Sequence, residues 1–171
     1  CSPPMRPLRA LLAVLLAAPL LAELETIYVV PGSHLDVGFT DTPSAVREKR
    51  VQTLDDAIDA AQADPDFRWN EEGAWVFDAW LAAHRGDDAR IGAMRKLLQE
   101  GRLYVGATYV NPHAAIFPES LGLLAAHLAR LEKEFGVRPR TAIVNDAPSV
   151  PEAIVDALAA RGVRYLLVGA N

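Results

Sequence analysis

Cysteine is all but missing from this 171-residue chain, and the single one is Cys1. Everything downstream therefore lacks disulfides and thiolate metal ligands, so the fold must be held by its own core and any metal by nitrogen and oxygen. Positive charge is also short, with 17 Lys and Arg against 22 Asp and Glu and a formal net charge of −5. That balance argues against a nucleic-acid partner. No apolar run is long enough for a comfortable membrane span. The longest, ALLAVLLAAPLLA, ends at Ala22; it follows a charged MRPLR that begins at Met5 and precedes Glu23, which is the layout of a secretory signal peptide. Residues 1–4 read as upstream or added sequence and 5–22 as a leader cleaved after Ala22, with no stable membrane span afterwards. An uncleaved anchor or a buried first helix is the alternative. The implied location is secreted or periplasmic. Internal repeats and low-complexity linkers are absent too, and no feature indicates an oligomeric state.

What the chain does have is an alternation of short apolar runs and longer helical stretches, which predicts βα units around a parallel sheet. The first strand is expected at about Thr26–Val30, stopped by Pro31 and Gly32. Thr42 and Pro43 then open a helix over 44–63, where Val46, Val51, Leu54, Ile58 and Ala61 recur at helical spacing. Phe67–Asn70 reads as the second strand, followed by an aromatic helix through Trp75, Phe77 and Trp80. Asp87 and Asp88 precede a helix of about 89–99 that ends at Gly101. Leu103–Tyr109 is the expected third strand, and Pro118–Phe135 a long helix closing at Gly136. Thr141–Val144 is the fourth strand, Val150–Ala160 its helix, and Tyr165–Val168 the fifth strand. The strand at the far end, with only three residues after it, points to the N-terminal part of a longer barrel. A complete five-stranded doubly wound sheet is the alternative.

Parallel α/β sheets place their chemistry at the carboxyl ends of the strands, and those positions are loaded here. His34 and Asp36 follow the first strand, Glu71 and Glu72 the second, Asn111 and His113 the third, Asn145 and Asp146 the fourth, and Asn171 the fifth. Residues i and i+2 of an extended segment face the same way, so the His34 imidazole and the Asp36 carboxylate can converge on one divalent cation. Asp146 alternatively forms an Asx turn or a helix N-cap ahead of Pro148. Glu71 and Glu72 equally suit the N-terminus of the helix after them. Trp75, Trp80, His84 and His127 read as packing or surface residues.

The run VVPGSHLDVGFTD resembles the first metal-binding segment of family 38 glycoside hydrolases, the zinc-dependent α-mannosidases. The resemblance continues in order through FRWNEEGAWVFDAWL (67–81), EGRLYVGATYVNPH (100–113) and EFGVRPRTAIVNDAPSVPEAIVDALAARGVRYLLVG (134–169), so that it covers the chain from about Ile27. It implies an α/β fold that is an incomplete seven-stranded (β/α) barrel over 23–171, a carbohydrate substrate, and one zinc ion held by His34, Asp36 and Asp146, its remaining ligand beyond Asn171. It also implies that Asp146 is the nucleophile of a retaining glycosidase. Phe39 falls where the family has an aromatic that stacks on the sugar, although a Phe near a strand end is also ordinary core. Glu72, Asn111, His113 and Asn171 are further candidates for contact with the substrate, Glu72 also for tuning a metal ligand. The acid/base is expected beyond Asn171, so the fragment alone is expected to be inactive. NDAPSVP departs from the family's Asp-Pro-Phe-Gly-His-Ser run: the aspartate is present, the Phe and His are not. A metal-dependent polysaccharide deacetylase is a rival, but it wants paired aspartates after the first strand and histidines four apart, and neither occurs. A carbohydrate-binding barrel without turnover is the other.

Overall fold

The computed structural model describes residues 25–112, 120, 123, 126–147 and 149–169. Among them five strands, β1 (Gly32–Ser33), β2 (Trp69–Glu71), β3 (Leu103–Val105), β4 (Thr141–Asn145) and β5 (Tyr165–Gly169), are interleaved with α1 (Pro43–Ala63), α2 (Ala74–Ala83), α3 (Asp88–Gln99), α4 (His127–Arg130) and α5 (Ala153–Ala159). Of the helix expected over 118–135, residues 118–119, 121–122 and 124–125 lie outside the described residues, and its later part is α4 and a π-helical turn, Leu131–Phe135, which Gly136 closes at φ 70°. No helix among the described residues is long and apolar enough to cross a membrane.

Local signals account for most helix ends. The Thr42 hydroxyl accepts a hydrogen bond from the Ala45 amide, with Pro43 in the first turn of α1, and Asp87 caps α3 through the Arg90 amide at 2.9 Å. Helix α2 has no side-chain cap at Gly73. Its first free amides, those of Ala74 and Trp75, donate instead to the carbonyls of Thr108 and Tyr109, both at 3.1 Å. The expected third strand over 103–109 is therefore corrected: β3 ends at Val105, and Thr108 and Tyr109 serve the start of a helix instead.

All strand pairs are parallel, in the order β1-β2-β3 and β4-β5. The two groups are joined where the Ala107 amide donates to Thr141 O at 3.0 Å and the Tyr104 hydroxyl bonds both Thr141 O and Thr141 N at 2.7 Å. Strands thus succeed one another in chain order without reversal, whereas a doubly wound sheet reverses at its switch point. The first strand is displaced from the expected Thr26–Val30. Asn70 donates to Pro31 O from its amide at 2.9 Å and its side chain at 3.1 Å. Proline has no N–H to return, so the ladder begins there. Gly32 lets the strands close up, since a Cβ would stand 2.8 Å from Asn70 O. Ile27, Tyr28, Val29 and Val30 lie exposed, as do Tyr165 to Val168 on β5.

The main core joins α1, α2, α3 and β3 through Leu54, Ile58, Phe77, Trp80, Met94 and Leu103, with Trp69 of β2 packed against it, and a smaller one packs α5 on β4 through Ala142, Ile154 and Leu158. Asp55 ties the three helices together by accepting from Trp80 Nε1 at 2.9 Å and Arg90 Nη2 at 2.8 Å. His84 stacks on Trp80 with ring centroids 4.3 Å apart, and buried His127 lies 3.2 Å from Gly106 O. Both histidines are packing residues. In the apolar stripe of α1, Arg50 is buried and pairs with Glu71, itself fully buried at the end of β2. Burial pushes Glu71 up to about 7 in spite of the pull of Arg50.

Two stability predictions follow from this packing. Arg50→Met leaves the Glu71 carboxyl without its cation and is expected to cost about 3–5 kcal/mol at neutral pH. The lost arginine lowers the glutamate pKa, so its removal raises the folded value further above the unfolded one; stability is then lost as pH rises, and the penalty in urea unfolding is larger near pH 8 than near pH 5. Equal penalties at both would show the carboxyl is not the cause. Gly106→Ala would bring its Cβ to 2.0 Å from Glu72 O, whereas Gly92→Ala in α3 meets nothing within 4 Å. The first should destabilise by about 1–3 kcal/mol or more and the second stabilise by about 0.5–1 kcal/mol, read from the same unfolding curves.

Candidate metal and carbohydrate site

The carboxyl ends of the strands converge. His34 and Asp36 leave β1 in the loop before α1, Glu72 follows β2, Asn111 lies beyond the bend after β3, and Asp146 follows β4. His34 Nε2 stands 3.4 Å from Asp36 Oδ1 and 3.7 Å from Asp146 Oδ2, and one ligand atom from each of the three residues falls within 4.8 Å of the others. Zinc bonds of about 2.0–2.2 Å put tetrahedral ligands roughly 3.4 Å apart, close to the spacing of the His34 nitrogen from each carboxylate. One imidazole nitrogen and two carboxylates form a donor set that suits a divalent cation. All three side chains are partly open to solvent, as entry of an ion requires.

Asp146 is the one described non-glycine residue with a positive φ, at 51°. Such a conformation is uncommon outside glycine, and aspartate tolerates it better than most residues. Its amide donates to Gly169 O at 3.0 Å, which continues the β4–β5 pairing by one residue beyond β4. The N-cap of α5 is Glu152, so Asp146 does not cap that helix.

Behind the three residues lies Glu72, only 7% exposed. Its Oε2 is 2.8 Å from His34 Nδ1, while its Oε1 accepts from Asn111 Nδ2 at 2.6 Å and from the Asn145 amide at 2.9 Å. Asn111 Nδ2 also donates to Asn145 O at 2.8 Å. Partial burial of the His34 ring works against its charge, but the Glu72 carboxylate and then Asp36 outweigh it, leaving its pKa above the ordinary value.

His34, Asp36, Glu72 and Asn111 border a cavity of about 670 Å³ whose other wall includes Arg50 and Trp75. Phe39 is not on that wall; it sits at the tip of the turn at 38–40 and is 90% exposed. His113 and Asn171 lie outside the described residues. Among those described, Arg50 Nε and Nη1 and Asn111 Oδ1 are buried without a protein hydrogen-bond partner. Sequence reading missed Arg50, and a signal was present: Val46, Arg50, Leu54 and Ile58 are four apart, so a cation stands inside the buried stripe of α1. Trp75, expected only to pack, does pack against the core and also faces the cavity.

Solved structures share this fold, two of them as follows. An α-mannosidase from Enterococcus faecalis V583 superposes with a TM-score of 0.71 at 17% identity over 82% of this chain. A protein in the glycosyl hydrolase family 38 from Enterococcus faecalis gives a TM-score of 0.65 at 17% identity over 81% of it. In each case the match spans 16% of the length of the other protein. No curated protein sequence matches the chain. Residues 25–169, which carry every described strand and the His34, Asp36 and Asp146 group, match the glycosyl hydrolases family 38 N-terminal domain, and the chain belongs to that family.

Proposed function

We propose that this chain is the N-terminal part of the catalytic domain of an exported, zinc-dependent retaining glycosidase acting on α-mannosides, its five strands belonging to a seven-stranded barrel. The observation that carries the proposal is the convergence of His34, Asp36 and Asp146 at the strand ends of a family 38 domain, where His34 and Asp36 border the cavity. Those three residues would hold the zinc ion. When bound, the ion supplies a Lewis-acid charge that keeps the neighbouring carboxylates ionised and helps orient substrate hydroxyls.

The chain's own residues carry the remaining chemistry. Asp146 is held by the bonded end of β4 and offers a carboxylate oxygen to the anomeric carbon. Attack forms a bond from that oxygen to the sugar and breaks the bond to the leaving oxygen, which takes a proton from an acid elsewhere in the protein; water then releases the sugar with retention. A polyhydroxylated ligand needs both donors and acceptors. The cavity is bordered by the polar side chains of Asp36, Asp78 and Asn111, and Trp75 gives an apolar face for a pyranose ring. The acidic cluster, the absence of histidines four apart and the family match together favour this reading over a deacetylase.

In the full-length protein, Asp146→Asn is expected to abolish hydrolysis of an activated α-mannoside with little change in folding, because the amide is nearly isosteric but is neither a nucleophile nor a good zinc ligand. His34→Ala should lower metal content and activity together. Near wild-type turnover by Asp146→Asn would remove it as nucleophile. Residues 5–22 are proposed to be a cleaved leader, so mass spectrometry of the secreted protein should find an N-terminus close to Glu23. An intact N-terminus in a soluble cytosolic fraction would contradict export.

A further inference from the structure

We propose that Glu72 is the positioning residue of this site: it selects the His34 nitrogen that faces the cation and, through the Asn145 amide, sets where Asp146 stands. The proposal rests on the metal reading above. Glu72 could be taken as a substrate contact, since it borders the cavity, but its carboxylate is already engaged on both oxygens. Oε1 takes two N–H donors, from Asn111 and Asn145, and Oε2 faces His34 Nδ1 at 2.8 Å. A carboxylate accepts only, so the proton of a neutral His34 sits on Nδ1. The lone pair is thereby left on Nε2, the nitrogen that faces Asp36 and Asp146.

The same carboxylate reaches three strand ends at once. His34 belongs to the loop after β1, Asn111 to the segment after β3, and the Asn145 amide to β4, one residue before Asp146. The main chain of Glu72 is itself clamped, because Gly106 packs so closely that a Cβ there would stand 2.0 Å from Glu72 O. Outer partners of this kind orient a ligating histidine and raise its basicity.

Glu72→Gln tests the proposal in the full-length protein. The fixed Asn145 N–H requires the glutamine oxygen on its side, which turns the NH2 towards His34 Nδ1 and shifts the imidazole proton to Nε2, the nitrogen that must bind the ion. Zn2+ affinity, measured by chelator competition on the apoprotein, should fall by about 10–100-fold while thermal unfolding of the apoprotein is nearly unchanged. Co2+ substituted into the variant should show an altered visible spectrum. Affinity within about twofold of wild type would overturn the positioning role while leaving the metal site standing. If the wild-type protein itself bound no Zn2+, the metal reading would fall and this proposal with it. Should Glu72→Gln not fold, Asn111→Ala removes one donor to Glu72 without touching a ligand; a smaller but measurable loss of Zn2+ affinity supports the role, and an unchanged affinity overturns it.

Discussion

The carboxylate of Glu72, bonded to a side chain after β1, a side chain after β3 and an amide of β4, is the interaction on which the upper end of the sheet depends. Parallel strands are held to one another by backbone bonds, but the loops that leave them are not. A buried anion that accepts three N–H groups draws those loops together with charge-assisted bonds stronger than neutral ones. Removing any one donor would leave part of a buried charge unsatisfied, so the arrangement is self-enforcing. The residues around it are committed in the same way. Gly73 is the N-cap of α2, and the carbonyls that satisfy the first amides of that helix come from the segment leading to Asn111. One short stretch therefore ends a strand, starts a helix and braces the site.

Two adjacent glutamates show how a strand's alternation divides labour. Glu71 turns into the core, where it meets Arg50 from α1 and where burial raises its pKa to about 7. Glu72 turns to the mouth and meets neutral N–H donors and an imidazole. The pair of side chains on opposite faces of one strand end is a consequence of the period of two along β structure. The inner pair is an expensive arrangement, since an ion pair in a low-dielectric core recovers its desolvation cost only with good geometry. Its position beneath the site links the stability of α1 to the strand end that carries Glu72.

Asp146 combines a proposed chemical role with an unusual backbone. A φ of 51° costs a non-glycine residue some free energy, which the continued bonding to Gly169 and the Glu72 bond to the preceding amide hold in place. Asp146 follows the last β4–β5 pair directly, and its carboxylate stands at the strand end beside His34. The apolar residues left exposed at Ile27–Val30 and along β5 are consistent with a chain that spans 16% of the length of its solved relatives.

Much of this was legible in the residues themselves. Helical periodicity with Thr42, Pro43, Asp87 and Gly136 at the ends located α1, α3 and the close of the π turn, because caps and breakers act through bonds a few residues apart. The pattern of His34, Asp36 and Asp146 after apolar runs was enough to nominate a site. Only the tertiary structure decided the rest. β1 begins at Gly32, after Pro31, rather than in the β-branched run before it, since pairing with Asn70 outweighs local propensity. β3 stops at Val105, and the carbonyls of Thr108 and Tyr109 beyond it are taken by the first amides of α2. Phe39, which could equally have been core, stands exposed on a turn, while Arg50, hidden in an apolar stripe, borders the cavity. Glu72 meets partners 38, 39 and 73 residues away, and separations of that size leave no periodic trace in a sequence.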